Sequence, residues 1–73
     1  MNGFRMRDLR QKANLLQLEV AAELQLHNVT ICNWEKTGKE LPKVYEEAFM
    51  RLINDSERVY FIRQGRRARR KAK

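Results

Sequence analysis

The stretch Gln17-Leu18-Glu19-Val20-Ala21-Ala22-Glu23-Leu24-Gln25-Leu26-His27-Asn28-Val29-Thr30-Ile31-Cys32-Asn33-Trp34-Glu35 decides the fold. Val20 and Leu24 continue an apolar stripe begun by Leu9, Ala13 and Leu16, at spacings of three and four, the pattern of amphipathic helix. Asn14 is the one residue there that invites a break, because its amide competes for backbone groups. Glu19 follows Leu16 at the capping-box interval, although Leu16 has no oxygen to complete the box. A second stripe begins after residue 26: Ile31 and Trp34 are three apart and share a helical face. That helix is expected to end at Gly38, which takes the left-handed conformation without a Cβ penalty.

Beyond this stretch, Gly38-Lys39-Glu40-Leu41 reads as a loop, and Pro42 suits the first turn of a further helix. Tyr45, Ala48, Phe49, Leu52 and Ile53 form its buried face, and Asn54-Asp55-Ser56 stop it with turn-forming residues. Val59-Tyr60-Phe61-Ile62 are four consecutive large, β-favouring residues flanked by Arg58 and Arg63. They are expected to form a short strand, with helix the alternative for so short an apolar run. With no other strand in the chain to satisfy it, the economical partner is the same strand of a second copy, so Val59, Tyr60, Phe61 and Ile62 are the expected dimer interface.

The chain has 73 residues, 16 Lys+Arg, 9 Asp+Glu and a net charge of +7. That length allows one small domain, too small for a sizeable catalytic cleft. No apolar run reaches the roughly 20 residues of a membrane span, and no signal-peptide core follows the N-terminus. One Cys and one His make neither an internal disulfide nor a zinc site, so a reducing interior is expected. No nucleophile–base pair stands out, and the adjacent Glu46 and Glu47 face different directions on a helix. The expectation is a protein without enzyme activity, metal or cofactor.

The charge is unevenly placed. Residues 1–57 hold all nine acids and eight bases, a net −1, whereas residues 58–73 hold the other eight bases and no acid, +8. Arg66, Arg67, Arg69, Arg70, Lys71 and Lys73 crowd together, and such density favours an extended, solvated chain. Residues 65–73 are therefore expected to be a disordered tail that attracts polyanions through counterion release. A merely solubilising tail is the plainer reading.

From Met6 to about Leu52 the sequence resembles the lambda-repressor-like helix-turn-helix domains of the Cro/cI (XRE) family. The carrying residues are Leu9-Arg10, Ala13-Asn14-Leu15, Gln17, Val20-Ala21-Ala22, Leu24, Leu26, Thr30-Ile31, Trp34-Glu35, Gly38 and Pro42. Two helices crossing steeply need a small residue at closest approach, here Ala21, and inward apolar residues, here Val20, Leu24, Leu26, Ile31 and Trp34. The chain departs from the family at Leu16, where Ser or Thr is usual, at Gln25, where Gly is usual, and at His27, where Ser or Thr caps the reading helix. A non-Gly residue held left-handed costs about 1–2 kcal/mol, and a lost cap typically about 1 kcal/mol.

The resemblance implies a mainly α protein, a four-to-five-helix bundle over residues 1–57; the dimerisation segment at 58–64 and the basic tail at 65–73 match nothing in the family and are read from the residues alone. It implies a cytoplasmic, nucleoid-associated homodimeric repressor of phage or mobile-element type, able to repress its own promoter, on a palindromic double-stranded DNA operator. Asn28 and Asn33 are expected to read bases, since Asn amides pair bidentately with adenine, and Val29 and Cys32 to make apolar contacts. For Asn28 the alternative is a helix cap. Gln17, His27, Lys36, Lys39 and Lys43 are expected at phosphates, with a helix cap the alternative for His27. Arg5, Arg7 and Arg10 are expected as surface charge, with phosphate contact the alternative. No small-molecule ligand is expected, because no ligand domain fits beside this one. The competing readings are an antitoxin-type regulator that binds a toxin, an RNA-binding or bridging module that uses the Arg-rich tail, and a purely structural helical hairpin.

Overall fold

Asn2 opens the first helix, its side chain accepting the Arg5 N–H at 2.9 Å. In this computed structural model, which describes the backbone of residues 1–71 and the side chains of residues 1–65, that helix is α1, Gly3–Lys12. It stops where the sequence invited a break: Asn14 is left-handed (φ 58°) and the Leu15 N–H reaches back to the Arg10 carbonyl at 3.1 Å. α2 follows at Gln17–Leu24. The Glu19 carboxylate accepts the Leu16 N–H at 2.8 Å, the half of a capping box that Leu16 permits. Gln25 ends α2 in the left-handed conformation (φ 57°).

α3 spans Asn28–Thr37 and ends at left-handed Gly38 (φ 71°). A Cβ at Gly38 would also lie 2.2 Å from the Phe4 ring, which would have to turn aside. α4 is Lys43–Asn54, with Pro42 immediately before its first turn rather than within it. Residues 1–3 lie along residues 39–41: Asn2 and Glu40 form an antiparallel bridge, the Gly3 N–H donates to the Lys39 carbonyl at 2.9 Å, and the Leu41 N–H to the Met1 carbonyl at 2.9 Å. Gly3 is needed for this approach, as a Cβ would sit 1.6 Å from the Trp34 carbonyl oxygen.

Phe49, Met6, Ile31 and Val20 are fully buried at the centre, ringed by Leu15, Ala21, Leu24, Trp34, Leu41 and Leu52. Trp34 of α3 meets Tyr45 of α4, ring centroids 5.8 Å apart and tilted by 45°. Leu16, assigned above to the apolar stripe, is instead 47% exposed, because α1 has ended and the chain turns its side chain away.

The expected strand at 58–64 is not formed. Residues Ser56–Lys71 are helix α5, and among the described residues no sheet occurs. Asp55, Ser56 and Glu57 are the reason. Asp55 is the only residue between α4 and α5, and its side chain accepts the Arg58 N–H at 3.0 Å as an N-cap does. Glu57 adds an acid in the first turn, favoured by the helix dipole. Val59 and Ile62, three apart, then turn inward: Val59 is buried and Ile62 half-buried against the same core, while Tyr60 and Phe61 stay exposed. Strand pairing through Val59–Ile62 is thereby excluded, since the backbone groups it needs are bonded within α5.

The helix also runs through Gly65, Arg66, Arg67, Arg69, Arg70 and Lys71, where an extended tail was expected. Arg, Lys and Ala are strong helix formers, and cations suit a helix C-terminus. Lys73 lies outside the described residues. The coarse expectation, a mainly α bundle, stands with five helices over the described residues.

Candidate nucleic-acid interface

α3 is anchored from behind. Ile31, Trp34 and Glu35 are buried and lie at spacings that place them on one face. The opposite face carries Val29, Cys32, Asn33 and Lys36, at positions i, i+3, i+4 and i+7, all exposed. The helix therefore displays a continuous strip holding one amide, one ammonium and two apolar groups. Asn28, grouped with them from the sequence, stands at the edge of this strip and is half-buried.

Asn28 is not the cap of α3. His27 is: its Nδ1 accepts the Val29 N–H at 3.3 Å. A neutral ring that accepts at Nδ1 carries its proton on Nε2, which leaves a donor at the exposed end. His27 thus replaces the usual hydroxyl cap while keeping a group for an anion.

Gln17 opens α2 and is half-buried. Its Nε2 donates to Glu35 Oε1 at 3.1 Å. The same carboxylate is gripped by Arg10, with Nε 2.7 Å from Oε2 and Nη2 2.8 Å from Oε1, while Arg10 Nη1 donates to the Leu15 carbonyl at 2.8 Å. This corrects the expectation that Arg10 is surface charge: its side chain is 11% exposed and Glu35 only 2%. The network ties α1, the turn before α2, the first residue of α2 and the back of α3. Sequence spacing of 25 residues gave no signal for it; a Glu on the inward face beside Trp34 was the available clue. Among the described residues no buried side-chain polar atom lacks a hydrogen-bond partner.

The first-turn N–H groups of Gln17 and Leu18 have no partner within α2 by helix geometry, and they point with the dipole towards any anion placed there. Lys36, Lys39 and Lys43 are exposed, on the last turn of α3, in the following loop and at the first residue of α4. None of the three takes part in an ion pair among the described residues. The side chains of Arg66, Arg67, Arg69, Arg70, Lys71 and Lys73, assigned above to non-specific attraction, lie outside the described residues.

Among the described residues no three His, Cys, Asp or Glu side chains gather as a metal site, and no helix is long and apolar enough to cross a membrane. Compared with family models, curated proteins and solved structures, the chain matches none.

Proposed function

We propose that this chain is a sequence-specific, double-stranded DNA-binding transcriptional regulator, a homodimeric repressor of the lambda-repressor-like helix-turn-helix type. One observation carries the reading. α3 follows α2 after three residues and offers an exposed strip of Val29, Cys32, Asn33 and Lys36 while its other face is locked to the core. A helix held in this way can enter a major groove, where an Asn amide, an ammonium and small apolar groups meet base edges and thymine methyls. Gln17, His27, Lys39 and Lys43 would take phosphates on either side, and Asn28 a base or phosphate at the margin. Two copies would address half-sites about one helical turn apart.

The test is a gel shift on DNA upstream of the chain's own reading frame, at physiological salt. An inverted repeat should be bound in preference to random duplex. Asn33→Ala should relax sequence preference, by about 1–3 kcal/mol at the base it reads. If no duplex is preferred over random DNA, the reading fails.

A second reading is favoured by α5, a helix whose sequence after Glu57 holds seven bases and no acid. In it, α5 is the main nucleic-acid site, RNA included, and the helices before it are scaffold. Replacing Arg66, Arg67, Arg69 and Arg70 by Gln separates the two. Under the first reading, affinity for all sequences falls alike and preference survives. Under the second, all binding is lost and Asn33→Ala changes nothing.

A further inference from the structure

We propose that Asn2–Gly3 is a self-modification site, sealed by the fold and opened by unfolding, at which the chain converts itself irreversibly to a form that cannot rebuild its N-terminal strap. Of the five asparagines in the chain, only Asn2 precedes a glycine. Glycine has no Cβ to shield its backbone nitrogen or restrict its approach. That nitrogen can attack the Asn2 side chain. The Gly3 N–H gives up its proton, a bond forms from the Gly3 nitrogen to Asn2 Cγ, and the amide nitrogen leaves as ammonia. Water then opens the cyclic imide. Opening at the side-chain carbonyl leaves an aspartate at position 2. Opening at the main-chain carbonyl leaves an isoaspartate, in which the backbone runs through Cβ. The only co-reactant is water, and nothing is oxidised or reduced.

Asn2 is exposed, so burial is not what seals the site. Geometry is. A five-membered ring closes only when the Gly3 nitrogen eclipses Asn2 Cβ, and the extended backbone of Asn2 (φ −92°, ψ 167°) holds the two staggered. Three hydrogen bonds fix that state. The Arg5 N–H holds Asn2 Oδ1 at 2.9 Å, which keeps the carboxamide over the first turn of α1. The Gly3 N–H, whose proton must be lost, donates to the Lys39 carbonyl at 2.9 Å. The Leu41 N–H donates to the Met1 carbonyl at 2.9 Å. Gly3 itself is buried against the backbone of α3, beside the Trp34 carbonyl. Swinging its nitrogen over the Asn2 side chain therefore requires the start of α1 to leave both α3 and residues 39–41. Local or global unfolding supplies that opening.

The two products differ on refolding. Aspartate caps a helix as well as asparagine does, and its charge suits a helix N-terminus. Isoaspartate inserts a methylene into the backbone between positions 2 and 3. The Lys39 carbonyl and the Leu41 N–H stand at a separation set by their own segment. A strap longer by one atom can meet one of them but not both, and the cap on the Arg5 N–H is displaced. Close packing of Gly3 on α3 leaves no room to absorb the extra atom. Molecules that have opened are thus marked, and the isoaspartyl ones stay loosened at α1. The inference is independent of the proposed DNA binding.

The test holds the full chain at mildly alkaline pH, folded in buffer and unfolded in guanidinium chloride. Position 2 is followed by peptide mapping that separates the asparaginyl, aspartyl and isoaspartyl forms. Loss of Asn2 should be slower in the folded chain by about a hundredfold or more, a ratio set by the opening equilibrium of the segment. Leu41→Ala, which removes a buried side chain from the seat of the strap, should speed the loss in buffer by about tenfold or more. Refolded isoaspartyl chains should melt lower by about 4–8 °C or more, the shift that follows from losing the worth of a single hydrogen bond. Asn2→Asp should melt no lower than the original chain. Asn2→Ser, which keeps a cap but has no amide to lose, should keep its melting temperature through the same treatment. Equal rates in buffer and denaturant, no acceleration by Leu41→Ala, an isoaspartyl form that melts with the original, or an equal fall in Asn2→Ser overturns the proposal.

Discussion

Arg10 on α1 and Glu35 on α3 form a two-point ion pair in the interior, with Nε–Oε2 at 2.7 Å and Nη2–Oε1 at 2.8 Å. Gln17 and the Leu15 carbonyl each add one further hydrogen bond to the pair. Breaking such a pair from one side leaves a buried charge and typically costs about 3–5 kcal/mol, whereas replacing both partners by apolar groups of similar volume costs far less. Glu35→Leu should therefore lower the melting temperature steeply, by more than about 12 °C at 4–8 °C per kcal/mol for a domain of this size. Arg10→Met combined with Glu35→Leu should recover most of the loss. Thermal unfolding followed by circular dichroism decides it; additive effects of the two changes would show that the pair is not coupled.

Gly3→Ala and Gly38→Ala should both destabilise, but for different reasons. At Gly3 the new methyl would meet backbone, the Trp34 carbonyl at 1.6 Å, so α1 must move off α3. At Gly38 it would meet the half-exposed Phe4 ring, which can rotate away, and the main cost is the left-handed backbone, about 1–2 kcal/mol. Urea unfolding should rank Gly3→Ala as the worse of the two, and adding Phe4→Ala should not rescue it.

Gln25→Gly should stabilise the chain. Gln25 holds φ at 57° where α2 ends, a conformation that Gly adopts without the Cβ penalty. Allowing for the greater freedom of Gly in the unfolded chain, the gain should be about 0.5–1 kcal/mol. A denaturation midpoint that fails to rise would mean that the Gln25 side chain contributes contacts of comparable worth.

Gly65→Ala is a test of α5 itself. A Cβ there meets nothing within 4 Å. In a helix interior Ala is favoured over Gly by about 1 kcal/mol, so both helicity and stability should increase. A strand or an extended chain at this position would give neither.

Lys36→Gln, Lys39→Gln and Lys43→Gln should each weaken duplex binding similarly for preferred and random sequences. Each should reduce the slope of log K against log salt by about 0.9, the value for one phosphate contact. Gel shifts across a salt series give that slope, and an unchanged slope removes the lysine concerned from the phosphate set.

Much of the helical framework was legible because it rests on local chemistry. Asn14 and Gly38 break helices in this structure where their backbone preferences say they should, and Ile31 and Trp34 turn inward as their spacing requires. Two things were hidden. The Arg10–Glu35–Gln17 network joins residues 18 and 25 apart in sequence, and no periodicity pairs them. The segment Val59–Ile62 misled because four large residues in a row suit a strand as well as a helix. What decided between them lay just upstream, where Asp55 both stops α4 and caps α5. Of the strip on α3, Val29, Cys32 and Asn33 were found from the sequence as surface residues; that Asn28 sits at its margin needed the observed phase of the helix.

Asp55, the lone residue between α4 and α5, also governs how the chain's surplus charge meets its surroundings. An untethered tail would sweep its arginines through a cloud of positions, sampling any polyanion nearby at an entropic cost. A 16-residue helix is a spar about 24 Å long. It is stepped into the body at Asp55 and stayed by Val59 and Ile62. Its backbone is helical as far as Lys71, and a polyanion docked on α3, as proposed, would meet a rod and not a cloud.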